Sequence, residues 1–327
     1  MQSQDFHDLV VVITGASTGI GRAAALAFAR RGAAVAVVGR RETVLNDLVQ
    51  QCQGVGGQAL AIPADVSDEN AVKEAVRRVI EAHGRIDVWI NNAAVTLFGP
   101  AEEVPSEAWR RVLEVNLFGY IHGARAVLPH FRERGSGTLI NVSSVAGVIG
   151  QPYVAYYGAS KFAINGLSQC LRMELEDAPD IHVCTLLAGS HDTPLFQHGG
   201  NYLGRQIQPI PPVESADKVV EKMLHLVRCP HAEVSVGGMR HLAGALHALA
   251  PRCVEKLAAQ VTRKHHFREQ AAEPTPGNLF EPMTLFSCVS GGWLQPEQEA
   301  RRKMKRMALC AGVMLGLGIL VWRAWRD

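Results

Sequence analysis

Val10-Val11-Val12-Ile13-Thr14-Gly15-Ala16-Ser17-Thr18-Gly19-Ile20-Gly21 is the stretch whose reading decides the fold. The apolar, β-branched run Leu9 to Thr14 predicts a strand buried on both faces, and the residues after Ile20 predict a helix to about Arg31. Between them, Gly15, Gly19 and Gly21 let the backbone turn tightly and approach a ligand closely. The start of the helix offers unpaired N–H groups and the positive end of its dipole to an anion. A strand, a glycine-rich turn and a helix in that order point to a nucleotide pyrophosphate held by Gly15, Ser17, Thr18, Gly19, Ile20 and Gly21. The spacing G-x-x-x-G-x-G differs from the common G-x-G-x-x-G fingerprint.

Outward from this unit the same alternation continues. Strands are expected at Ala34 to Gly39, Gln58 to Pro63, Val88 to Asn91, Thr138 to Val142, Ile181 to Leu187 and Glu233 to Val236. Helical patterns separate them, among them Asp68 to His83, Ser106 to Arg134, Tyr157 to Glu176 and Ser215 to Arg228. The pattern predicts an α/β fold: a doubly wound, Rossmann-type parallel sheet of about seven strands with helices on both faces, plus C-terminal helices.

Composition narrows the class. The 327 residues include 33 Lys and Arg against 31 Asp and Glu, a net of +2, so bulk charge does not favour nucleic acid. The seven cysteines are scattered without a C-x-x-C pair, which argues against a disulfide framework and a zinc site; no metal is expected. Residues Met1 to Asp8 are polar and lack the apolar run of a secretory signal.

The alternation stops after the last strand, so residues 1–238 are read as the catalytic domain. Residues 239–268 read as two helices broken at Pro251, able to cap a cleft, to lean on a membrane or simply to pack on the core. Residues 269–296, with four prolines, three glycines and no clear period, are expected to be a linker. In residues 297–327, a basic cluster (Arg301, Arg302, Lys303, Lys305, Arg306) precedes Met307 to Trp322, sixteen residues without a charge. As a helix that run spans about 24 Å against a hydrocarbon layer of about 30 Å. Flanking arginines and local thinning would close the gap, so a single-pass C-terminal anchor is expected, with the catalytic domain cytoplasmic. A buried core helix in a cytoplasmic protein is the alternative.

The second strand ends in Gly39-Arg40-Arg41, where a dinucleotide site selects its cofactor. An acid there accepts from the ribose 2′-hydroxyl of NAD, whereas arginine accommodates the 2′-phosphate of NADP. Arg40 and Arg41 therefore favour NADP over NAD, although both could be solvated residues at a helix start, and Glu42 could reach a hydroxyl.

Tyr157 and Lys161 stand four residues apart at a helix start and so share one face. A free phenol titrates near pH 10, too high for a proton donor and acceptor at neutrality. A lysine charge about 5 Å away at an effective dielectric near 20 is worth about 3 kcal/mol, roughly two pKa units downward. Tyr153 and Tyr156 are rivals, but Tyr156 lies five residues from Lys161 and projects from another side. Asn141-Val142-Ser143-Ser144 and Asn91-Asn92-Ala93-Ala94 mark two further strand ends with polar residues, where open α/β sheets bind ligands.

From Phe6 to Gly238 the sequence resembles the short-chain dehydrogenase/reductase family. T-G-x-x-x-G-x-G at Thr14 to Gly21, Asp65-Val66, Asn91 to Ala94, Asn116, Ser144 and Y-x-x-x-K at Tyr157 appear in order. The resemblance implies that Asp65 and Val66 meet the adenine, that Asn91 supports the cofactor strand, and that Asn92 and Ala93 lie against the cofactor. It also implies that Lys161 holds the nicotinamide ribose, Asn116 positions a water leading to Lys161, and Ser144 orients the substrate oxygen. Two departures stand out. Ala94 replaces a glycine, and Ala188-Gly189-Ser190-His191-Asp192-Thr193 replaces P-G-x-V-x-T. Thr193 can still meet the nicotinamide carboxamide, while His191 reads more simply as a loop histidine without a function.

These readings converge on an NADP(H)-dependent oxidoreductase that interconverts a carbonyl and a secondary alcohol, with Tyr157, Lys161, Ser144 and Asn116 as catalytic residues. Apolar residues of the loop Pro194 to Pro212 favour a lipophilic substrate. The membrane through the C-terminal helix is the other partner, and homo-oligomerisation stays open. An NAD-preferring alcohol dehydrogenase and a non-catalytic nucleotide-binding scaffold are the alternatives.

Overall fold

A computed structural model describes residues 6–237, 244 and 247–294. Seven strands form the central sheet: β1 (Val10–Thr14), β2 (Ala34–Gly39), β3 (Gln58–Pro63), β4 (Val88–Asn91), β5 (Gly137–Ser144), β6 (Ile181–Ala188) and β7 (Glu233–Ser235). All pair in parallel, in the order β7-β6-β5-β4-β1-β2-β3. The order reverses beside β1, which makes the crevice between the ends of β1 and β4 the switch point at which such sheets bind ligands.

The helices of eight or more residues among the described residues are α1 (Gly19–Ala29), α2 (Glu42–Gly54), α3 (Glu69–His83), α4 (Ser106–Leu113), α5 (Gly119–Arg134), α6 (Ala155–Glu174), α7 (Ala216–Arg228) and α8 (Pro251–His265). One apolar cluster joins α1, α2 and α7 to one face of the sheet. A second joins α3, α4 and α5 to the other. Side chains alternate across each strand, so Val11 and Ile13 enter the first cluster while Val10 and Val12 enter the second. Every residue of β1 is buried, as its unbroken apolar run requires, whereas β3 is half-exposed at the sheet edge.

The expected helix Ser106 to Arg134 is interrupted by a single π-turn, Glu114–Phe118, which carries Asn116. A wide turn of this kind inside a helix is frequent at functional sites.

The residues expected to form a linker are instead packed on the domain. Phe267–Ala271 pairs antiparallel with Arg205–Ile207, and Thr275 exchanges two backbone hydrogen bonds with Asn201, at 2.8 and 2.9 Å. Leu279 is fully buried in the second apolar cluster. Of the two helices expected over 239–268, α8 begins at Pro251, and most of the first lies outside the described residues, as do the basic cluster and Met307 to Trp322. Among the described residues no helix is long and apolar enough to cross a membrane, so the expected anchor has no support there.

Candidate active site and nucleotide cleft

The glycine-rich turn works by close approach. Gly15 has φ +65°, and a Cβ on it would lie 2.6 Å from the Cα of Ala93. A Cβ on Gly21 would lie 2.4 Å from the Gly15 carbonyl oxygen. Asn92 braces this turn from the end of β4, its Nδ2 donating to the carbonyls of Thr14 and Gly15 at 2.9 and 3.3 Å. The Thr14 hydroxyl accepts from the N–H groups of Asn92 and Ala93 at 2.9 and 3.1 Å. Thr18 caps α1 without a side-chain hydrogen bond. The first-turn N–H groups are thus left to other partners.

One cleft collects nearly the whole expected set: Gly15, Ser17 to Ile20, Arg40, Arg41, Asp65, Val66, Asn92, Ala93, Ser144, Tyr157, Lys161 and Thr193 all line it. Gly21 and Asn116 do not. Gly21 serves by permitting the turn. The side chain of Asn116, fully buried, accepts from the Val95 N–H at 2.8 Å and donates to the Val95 carbonyl at 2.9 Å and the Ser160 hydroxyl at 3.2 Å. It clamps the loop after β4 to α6.

At one end of the cleft, the Asp65 carboxylate accepts from the backbone N–H and hydroxyl of Ser67 at 3.0 and 2.7 Å and pairs with Arg111. Burial alone would raise its pKa, but the Ser67 and Arg111 hydrogen bonds outweigh that and hold it below the usual value. Asp65 is therefore a structural anion as well as a cleft wall. Arg40 and Arg41 line the cleft but are also engaged, Arg40 by the carbonyls of Asn278 and Phe280 at 2.6 and 2.8 Å and Arg41 by the Ser287 hydroxyl at 2.8 Å.

At the other end Tyr157 and Lys161 project from the first turns of α6 into the floor of the cleft. Lys161 Nζ donates to the Val142 carbonyl at 2.9 Å and lies 3.4 Å from the Tyr120 hydroxyl. Burial lowers its pKa to about 7. Burial likewise raises Tyr157 to about 12, although a hydrogen bond with Ser144 pulls the other way. The expected lowering of Tyr157 by Lys161 is thus corrected. Lys161 Nζ sits 5.6 Å from the centre of the Tyr157 ring and turns to Val142, so desolvation decides both groups. The rival tyrosines are elsewhere. Tyr156 stacks on Trp109 and donates to the Ala101 carbonyl, and Tyr153 packs edge-on against Phe267.

Sequence reasoning missed Tyr120, whose buried hydroxyl donates to the same Val142 carbonyl at 2.8 Å. It also missed Asn278, Pro282 and Met283, which line the cleft from a segment more than a hundred residues further along the chain than Lys161. No motif announces them, because backbone carbonyls carry the contacts. His191 is buried, with Nδ1 on the Gly189 carbonyl at 3.0 Å and Nε2 without a hydrogen-bond partner.

The short chain dehydrogenase family matches residues 9–201. An uncharacterized oxidoreductase of Bacillus subtilis, YxnA, is 33% identical over 99% of this chain and 92% of its own length. Among solved structures, an alcohol dehydrogenase from the archaeon Thermococcus sibiricus complexed with 5-hydroxy-NADP aligns with a TM-score of 0.61 at 28% identity, covering 69% of this chain and 95% of that one. A short chain dehydrogenase/reductase from Burkholderia phymatum in complex with NAD shares the fold, with a TM-score of 0.68 at 23% identity over 77% of this chain and 96% of that one.

Proposed function

The chain belongs to the short-chain dehydrogenase family, and from that membership we propose that it exchanges hydride between NADP(H) and a lipophilic carbonyl or secondary alcohol, with Tyr157 moving the proton. That it is an NAD(P)-dependent oxidoreductase follows from the family; cofactor preference, substrate character and residue roles are the proposal. The observation that carries it is the convergence of Tyr157, Ser144 and buried Lys161, its Nζ 5.6 Å from the Tyr157 ring centre, on one cleft walled by the glycine-rich turn.

The residues fit a dinucleotide. The turn approaches β4 too closely for any side chain at Gly15, while Asp65, Val66, Arg40 and Arg41 stand at one end and Thr193 at the other. The nicotinamide cofactor supplies and accepts hydride when bound. Ser144 and Tyr157 donate to the substrate oxygen and stabilise its developing negative charge, and Tyr157 passes its proton to that oxygen. Lys161 holds a positive charge close to the phenol at and below neutral pH, which favours the phenolate left behind. Arg40 and Arg41 support NADP over NAD by charge.

The lipophilic assignment rests on the apolar lining of the cleft, to which Val95, Leu195 and Phe196 contribute beside Tyr157. Phe196 and Tyr157 are backed by the buried cluster of Phe98, Val154 and Ile207. A substrate oxygen meets polar donors there, and the rest of the molecule meets hydrocarbon and aromatic rings.

Tyr157→Phe should cut turnover of lipophilic ketones about 100- to 10,000-fold, the usual worth of a positioned acid. NADPH binding, followed by nicotinamide fluorescence, should be nearly unchanged. Full turnover in the variant would overturn the assignment. With the phenol at about 12, it stays protonated at neutral pH and is ready to donate. Lys161, at about 7, loses the charge that favours the phenolate between pH 6 and 8, so ketone reduction should fall over that range although the phenol stays protonated, while alcohol oxidation, which needs the phenolate, should rise with pH.

A further inference from the structure

The segment 275–293 lies along the open side of the cleft and is tied down at several points. Near the adenosine end, Arg40 holds the carbonyls of Asn278 and Phe280, and Arg111, which also pairs with Asp65, donates from Nε to the Leu279 carbonyl at 2.9 Å. Leu279 between them is fully buried. In the middle, the Gly19 N–H of the glycine-rich turn donates to the Cys288 carbonyl at 2.9 Å. At the nicotinamide end, Asp192 accepts from the Ser290 hydroxyl at 2.6 Å, the Gly291 N–H at 3.0 Å and the Trp293 N–H at 2.7 Å. Trp293 Nε1 donates to the Thr193 carbonyl at 3.2 Å.

We propose that residues 275–293 are a strap that roofs the bound nucleotide along its length, so that the cofactor leaves only when the strap lifts. The inference rests on the nucleotide reading of the cleft. It also gives Asp192, at the unspecified position before Thr193, a role: it is the latch of the strap. The strap walls the cleft, and at one point, the Cys288 carbonyl on the Gly19 N–H, it takes a donor of the glycine-rich turn. Asn278, Pro282 and Met283 line the same space as Gly15, Asp65 and Tyr157. A guanidinium carries several N–H donors in a fixed fork, so Arg40 and Arg41 can hold strap carbonyls and still offer donors to a phosphate. A plug that competed with the cofactor would act oppositely, lowering affinity while it stays closed.

Linkage makes the two behaviours separable. If the closed strap favours bound nucleotide by some factor, the nucleotide favours the closed strap by the same factor, within about 5- to 150-fold for typical couplings. Hydrogen exchange of the full-length protein, alone and with saturating NADPH or NADH, reads the strap directly at the amides of Gly291 and Trp293. Cofactor should slow their exchange about tenfold or more. Asp192→Asn should weaken NADPH by a comparable factor, chiefly as faster release in a displacement experiment. Ser290→Ala should show the same change on a smaller scale, and the wild-type exchange experiment needs no variant to fold. Faster strap exchange on cofactor addition, tighter binding by the variants, or unchanged exchange while nicotinamide fluorescence reports binding would each overturn the strap. If NADH alone binds and protects, the NADP preference falls and the strap stands.

Discussion

Two segments wall the cleft, and different forces hold them. Val10 to Gly21 is a fully buried strand, a tight turn and the start of a helix, secured by sheet hydrogen bonds and apolar packing on both faces. Segment 275–293 contains no helix and no strand of the central sheet, and side chains from distant parts of the chain grip its backbone. Loss of one residue in the first disturbs the whole domain. Loss of one grip in the second should loosen only that segment, because cooperative units with few buried apolar contacts open locally at low cost.

This contrast can be broken at graded points. The largest effect is expected for Gly15→Val: positive φ strain and a Cβ 2.6 Å from the Ala93 Cα together cost about 3 kcal/mol or more. Thermal unfolding should shift for the whole protein, and nucleotide binding should be lost. Leu279→Ala removes a buried anchor at about 2–5 kcal/mol, but the cost should fall on the strap. Limited proteolysis should then cut within 275–293 well below the melting temperature of the domain. A global melting shift as large as that of Gly15→Val would show that the strap belongs to the core. Smallest is Ser290→Ala, one hydrogen bond to a carboxylate at an exposed position, worth about 1 kcal/mol. It should quicken hydrogen exchange at Gly291 and leave the melting temperature nearly in place.

The same contrast explains how far the sequence could be read. All seven central strands were legible, since β-branched runs bounded by turns carry their own signal. The glycine-rich turn was legible because glycine at Gly15 and Gly21 answers a steric demand that no other residue meets. Tyr157 and Lys161 were legible as a pair because four residues along a helix fix a shared face. The sign of their electrostatics was not. Lys161 pointed to a lowered phenol, but the depth of burial and the turn of Nζ toward Val142 set both values. The aperiodic residues 269–296 read as a linker because proline and glycine report only that no regular element forms. They do not report that Arg40, Arg111 and Asp192 will hold the backbone.

Local pattern determined, from the sequence by itself, where strands, turns and the catalytic helix begin and which residues could carry hydride-linked proton transfer. Tertiary structure alone decided that the far end of the described chain returns to wall the nucleotide cleft and that Asn116 braces Val95. It also decided that desolvation governs Tyr157 and Lys161. The physical reason is range. Periodicity and backbone sterics act over a few residues, whereas burial, carbonyl capture and the latch on Asp192 depend on groups up to about two hundred and seventy positions apart, as Gly19 and Cys288 are.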